Sequence, residues 1–180
     1  MSEEESDMFF MSFIADHNEA NTLKYDEEYV VKLYSDMIYG ISLSQLKNTH
    51  DAEDALQETF FTYFKKNERF KDEEHRKAWL IRVTLNCCKR IIAYNRKHFS
   101  ISIDEVVVPC ELETKEDNCV YNAVLSLREK YRTAIYLFYF EDLPAKEIAR
   151  ILKTSEANIF MRLSRGRNML KEKLEGVVDL

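Results

Sequence analysis

Apolar positions recur every three to four residues over most of the chain, and the stretches where they do so predict helices. From Asp26 to Leu46 the residues Tyr29, Val30, Leu33, Tyr34, Met37, Ile38, Ile41 and Leu46 keep this period. Asp26, Glu27 and Glu28 fall in its first turn, where carboxylates oppose the helix dipole favourably. Asn48-Thr49-His50 interrupts the pattern. A second helix is expected from Asp51, read as its N-cap, with Ala52, Ala55, Leu56, Thr59, Phe60, Tyr63 and Phe64 facing inward. Asp54, Gln57, Glu58 and Phe61 then share the opposite face, three and four residues apart. Beyond a polar loop at residues 66–75, built around Phe70, the stretch Arg76 to Lys97 carries Leu80, Val83, Cys87, Ile91 and Tyr94 at helical spacing.

Periodicity is lost over residues 99–119. Ile101, Ile103 and Val106 to Val108 are β-prone, but no second strand exists to pair with them and Pro109 follows, so the segment reads as an extended linker. The helical pattern returns from Cys119 to Phe140, with a break expected near Ser126 to Glu129. Pro144 then suits a first helical turn, and Ile148, Ala149 and Leu152 make a short buried face. Lys153-Thr154 turns, Ser155 caps, and Ile159, Leu163 and Leu170 continue the core. Two short helices, a tight turn and a small residue at the crossing give a helix-turn-helix. At the start of the chain, Met8, Phe9, Phe10, Met11, Phe13 and Ile14 form an apolar cluster that fits a short docking helix or a partly ordered extension equally well.

Composition narrows the class. Three Gly and two Pro in 180 residues are too few for the turns of an all-β or Rossmann-type fold, so the chain is expected to be all-α. Hydrophobic residues make up 46%, which is enough to bury a core. The acidic start (Glu3, Glu4, Glu5, Asp7) is unlike a signal peptide, and no apolar run approaches a membrane span, so a cytoplasmic protein is expected. Cys87, Cys88, Cys110 and Cys119 lack metal-ligand spacing and read as reduced thiols. His17, His50, His75 and His98 stand alone. With no Gly-rich phosphate loop and no nucleophile–base pair, the expectation is a protein with no enzymatic activity, no cofactor and no metal.

Charge changes the picture most. The whole chain carries −6, yet Arg76 to Lys97 holds seven basic residues and no acid. By segment the net charge is −6 over residues 1–22, +2 over 23–98, −5 over 99–119 and +3 over 120–180. These segments are read as an acidic N-terminal extension, a first small helical domain, an acidic linker and a second small helical domain. Basic groups on the acid-free helix neutralise phosphates, Trp79 near its start and Tyr94 near its end offer rings to unstacked bases, and the loop around Phe70 is placed to receive a flipped-out base. The second helix of the helix-turn-helix is basic where the first is not, with Arg162, Arg165, Arg167, Lys171 and Lys173. That asymmetry suits a recognition helix in a major groove. Phe61 amid acids suits a protein–protein anchor. Taken residue by residue, a stand-alone helix-turn-helix regulator and a helical adaptor or antagonist protein remain open.

The motifs in their order resemble the sigma-70 family of bacterial RNA polymerase sigma factors, in its extracytoplasmic-function (ECF) group. Asp51-Ala-Glu-Asp-Ala-Leu-Gln-Glu-Thr-Phe60 is similar to the helix that binds the β′ clamp helices of core RNA polymerase. Ala78-Trp-Leu-Ile-Arg-Val-Thr-Leu-Asn86 resembles the segment that melts and reads the minus-ten promoter element, and Arg162-Leu-Ser-Arg-Gly-Arg167 the end of the helix that reads the minus-thirty-five element. The resemblance implies a region 2 bundle at 23–98 and a region 4 helix-turn-helix at 120–180. It implies that Asp54, Gln57, Glu58 and Phe61 face the polymerase. Phe70, Arg76, Lys77, Trp79, Arg82, Asn86, Arg90 and Arg96 would meet the minus-ten DNA. Ser155, Glu156, Asn158, Phe160, Arg162, Arg165 and Arg167 would meet the minus-thirty-five duplex. The implied partners are core polymerase through its β′ clamp helices and β flap, promoter DNA, and an anti-sigma factor. The acidic linker would suit the positively charged RNA channel of the polymerase. Two departures stand out: Cys87-Cys88-Lys89-Arg90 follows Asn86 where members often have Asp, and Ala157-Asn158-Ile159-Phe160 replaces a Gly-Thr-Val-Lys-like pattern, so Phe160 stands where a basic residue is usual.

Overall fold

The structure, a computed structural model, describes residues 23–66, 70–99 and 115–178. The expectations for the N-terminal extension and for most of the acidic linker lie outside them. Seven helices and no strand are found among the described residues: α1 (Leu23–Leu46), α2 (Thr49–Lys66), α3 (Glu73–Phe99), α4 (Lys115–Leu125), α5 (Glu129–Tyr139), α6 (Ala145–Ile151) and α7 (Glu156–Val178). The described residues divide into two compact units between Ser35 and Asp36, within α1.

The ends of these helices follow local chemistry. Asn48, rather than Asp51, caps α2: its Oδ1 accepts the Asp51 N–H at 2.9 Å, which leaves Asp51 inside the first turn. Asp72 Oδ1 accepts the His75 N–H at 2.7 Å and starts α3. Lys47, Asp142 and Lys153 take positive φ, each just past the end of a helix, where the chain reverses. Helix α4 begins at Lys115, within the expected linker, because Lys115-Glu-Asp-Asn118 is helix-compatible but too polar to show an apolar period.

In the unit of residues 36–180, α2 packs along α3, and α4, α5 and α6 all pack on α7. One core spans these layers. Ile41, Ala78, Ile81 and Leu85 meet Leu127, Ala134, Ile135, Ile148, Ile159 and Leu163, all of them nearly inaccessible to solvent. The basic helix and the helix-turn-helix thus share a single apolar interior, and α3 touches α6. Arg132, buried on α5, ties the ends of other helices together. Its Nη1 donates to Leu127 O at 2.6 Å and Leu125 O at 3.0 Å, and its Nη2 to Gln45 O at 3.5 Å.

Candidate nucleic-acid and polymerase interface

The outer face of α2 is built as its period predicts. Ala52, Ala55, Thr59 and Phe60 are buried, so Asp54, Gln57 and Phe61 are turned to solvent, with Phe61 47% exposed. Glu58 has a second set of partners. It forms an ion pair with Arg90 and accepts a hydrogen bond from Cys87 Sγ at 3.2 Å. Glu58 and Arg90, expected at polymerase and DNA respectively, therefore meet across the α2–α3 seam. Burial, reinforced by the Glu58 hydrogen bond, pushes the Cys87 thiol up to about 12, and burial pushes Cys88 up to about 11. Both are reduced and buried, as the sequence predicts, and Cys110 lies outside the described residues.

At the start of α3 the aromatic residues converge. Phe70 stacks on Tyr63 with ring centroids 5.8 Å apart, and Trp79 meets both rings edge-on at 5.6 and 6.0 Å. The Arg76 guanidinium lies 5.7 Å from the Phe70 centroid and Lys66 Nζ 5.9 Å from that of Trp79. Phe70 and Trp79 are half-buried, so the cluster is a cation-rimmed aromatic patch rather than interior. Such a surface can stack an unpaired base. Farther along the helix, Asn86, Arg90 and Arg96 are exposed, and Arg82 is half-buried with Nε lacking a hydrogen-bond partner. Tyr94, in the apolar stripe by spacing, is instead 57% exposed and stacks on His98 at 4.3 Å.

Lys77 follows a different course. Its Nζ donates to Glu141 O at 3.2 Å and lies 3.8 Å from the Glu141 carboxylate, beyond the end of α5. Burial raises the Glu141 pKa above its ordinary value, and Lys77 only partly opposes this.

In the helix-turn-helix, Pro144 precedes α6, Lys153 makes the turn, and Ser155 Oγ accepts the Asn158 N–H at 3.2 Å to cap α7. Asn158 Nδ2 donates back to Thr154 Oγ1 at 2.8 Å, so one donor of that amide holds the turn. Ser155, Glu156, Phe160, Arg165 and Arg167 are exposed. Arg167 Nη1 donates to the Tyr139 hydroxyl at 3.4 Å, and a hydrogen bond from Arg165 holds the Tyr131 pKa below its usual value. Arg162 instead lines a cleft of about 300 Å³ shared with Gln45, Lys89, Glu129, Lys130 and Thr133. Two features escaped the sequence reading. Arg132 shows no pattern that separates it from a surface arginine, and Tyr63, inward-facing by its spacing, is half-buried against the aromatic patch. Among the described residues, no group of three or more His, Cys, Asp or Glu could hold a metal ion, and no helix is long and apolar enough to cross a membrane.

Comparison with known proteins fits this geometry. Residues 30–98 match the family Sigma-70 region 2, and residues 117–170 match Sigma-70, region 4. ECF RNA polymerase sigma factor SigM of Bacillus subtilis is 34% identical over 151 residues, covering 79% of this chain and 91% of that one. SigW of the same organism is 27% identical over 166 residues, covering 81% and 87%. Among solved structures, the sigma factor RpoE of Bartonella quintana, in complex with the anti-sigma factor NepR, aligns with a TM-score of 0.72. It covers 83% of this chain and 97% of its own at 23% identity, a likeness of fold. The chain belongs to the sigma-70 family of RNA polymerase sigma factors, in the ECF group. Members are transcription initiation factors and not enzymes, and neither the regulator nor the adaptor reading is favoured.

Proposed function

We propose that this chain binds bacterial core RNA polymerase through the outward face of α2 and directs it to promoters through α3 and the helix-turn-helix. Asp54, Gln57, Glu58 and Phe61 form the polymerase contact, an apolar anchor among acids. Phe70, Arg76, Lys77, Trp79, Arg82 and Asn86 receive the melted minus-ten strand, Lys77 once its contact with Glu141 opens, with Arg90 and Arg96 as phosphate contacts. Capturing an unstacked base costs a few kcal/mol, which ring contacts return. Ser155, Glu156, Asn158, Phe160, Arg162, Arg165 and Arg167 serve the minus-thirty-five duplex. On this reading the chain works in the bacterial cytoplasm, with the β flap and an anti-sigma factor as further partners. The observation that carries the proposal is the joining of an aromatic, cation-rimmed patch and a capped helix-turn-helix with an exposed, acid-flanked Phe61.

Co-elution with core polymerase on gel filtration tests it. The wild-type chain is expected to co-elute, and an Asp54→Arg/Phe61→Ala variant to remain free while keeping its helical circular dichroism. A wild-type chain that stays free of polymerase yet binds duplex DNA alone would overturn it.

A further inference from the structure

After Glu156 at its start, the outward stripe of α7 turns apolar before it turns basic. Ile159, Leu163 and Gly166 are buried, which turns Ala157, Phe160, Met161, Ser164 and Arg165 to solvent on one face. Phe160 is 55% exposed and Met161 42%. Two large apolar side chains thus stand side by side over the first two turns of a helix whose later turns carry Arg165 and Arg167. Phe160 also borders a shallow groove with Pro144, Lys146 and Glu156. Exposed Lys146 lines the groove with Phe160, and exposed Arg165 and Arg167 follow on the next turns of the helix, cations that suit phosphate contacts; Glu156 is the acid at the N-terminal end, and a carboxylate there can accept from cytosine N4.

A benzyl or thioether group cannot form the bidentate hydrogen bonds by which Arg or Lys reads guanine. The apolar feature a major groove offers is the C5-methyl of thymine. We propose that Phe160 and Met161 read thymine methyl groups in the minus-thirty-five duplex, so that the specificity of this helix at that step is for a methyl rather than for a hydrogen-bonding edge. The inference rests on the sigma-factor reading and narrows it to the base recognised. Asn158, whose Nδ2 holds Thr154, sits beside this patch rather than at its centre.

The test uses the full chain bound to core polymerase. A promoter library randomised over both elements is selected for open-complex formation, and the recovered promoter is rebuilt with deoxyuridine in place of each minus-thirty-five thymidine, one at a time. Loss of one contacted methyl is expected to weaken wild-type binding by about three- to fivefold at one or two positions. Phe160→Ala should lose the deoxyuridine sensitivity at the position Phe160 contacts, and Phe160→Ala/Met161→Ala should bind thymidine and deoxyuridine duplexes alike, both retaining the selected minus-ten sequence. Equal sensitivity of wild type and Phe160→Ala to deoxyuridine, or insensitivity of both, overturns the inference and leaves the sigma reading standing. Loss of polymerase co-elution in Phe160→Ala also overturns it, by making the patch a protein contact. A wild-type complex that selects no promoter sequence at all overturns the sigma reading itself.

Discussion

Arg132 shows how much one side chain can do without reaching solvent. It is 5% exposed, and its guanidinium answers the carbonyls at the end of α4, in the turn that follows and near the end of α1. Those oxygens have no helical partner of their own, so losing the donors leaves buried acceptors unsatisfied. Arg132→Met is expected to lower stability by about 2–4 kcal/mol, read as a shift in the urea midpoint. Arg132→Lys should not restore it, because an ammonium cannot span a planar fork of acceptors. Periodicity places position 132 on a helix, but the role of its charge depends on carbonyls 5, 7 and 87 residues away. Phe61 and Phe160 are the opposite case. Both are apolar on faces that the spacing assigns to solvent, and their exposure could be read directly from the sequence.

Helices α5 and α7 pack tightly at Gly166. A methyl group there would lie 2.9 Å from Ile135 Cγ1, inside van der Waals contact. Alanine ordinarily favours a helix over glycine by about 1 kcal/mol, while overpacking costs about 1–3 kcal/mol. Gly166→Ala is therefore expected to be destabilising despite its better helix propensity, by thermal or urea denaturation. Adding Ile135→Ala should relieve the clash, so the double variant loses less than the sum of the two single variants. The Arg162 to Arg167 motif contains this glycine, and packing gives a reason for it that charge reading does not. Element positions themselves were largely legible. The helix-turn-helix, the long basic helix and the break before α5 all fall where the apolar period places them. The cap of α2 does not, because Asn48 and Asp51 are both good cap residues and only the backbone path decides between them.

Across residues 36–180 the basic helix is joined to the helix-turn-helix by the Lys77–Glu141 contact as well as by the shared core. Burial makes the folded protein hold the Glu141 proton more tightly than the unfolded chain does. Stability should therefore fall as pH rises from the ordinary carboxylate value of 4.5 through the raised folded value, and return on acidification. Glu141→Gln removes this titration and should flatten the stability profile over that window, measured by urea midpoints at successive pH values. A lysine held by Glu141 is not free for a phosphate, so any use of Lys77 at DNA requires that contact to open.

The sequence alone determined the helices, their order and the character of their outward faces. These follow from spacing and charge, which are local properties: a period of 3.6 residues sorts inside from outside, and a segment without acids stays basic wherever it lies. The tertiary structure decided which outward groups meet one another. Glu58 finds Arg90, Lys77 finds Glu141, Arg162 turns to a cleft with Lys89, and Phe70, Tyr63 and Trp79 close into one patch. Such pairings join residues 7 to 73 positions apart in the chain, and only the packing of helix on helix brings them together.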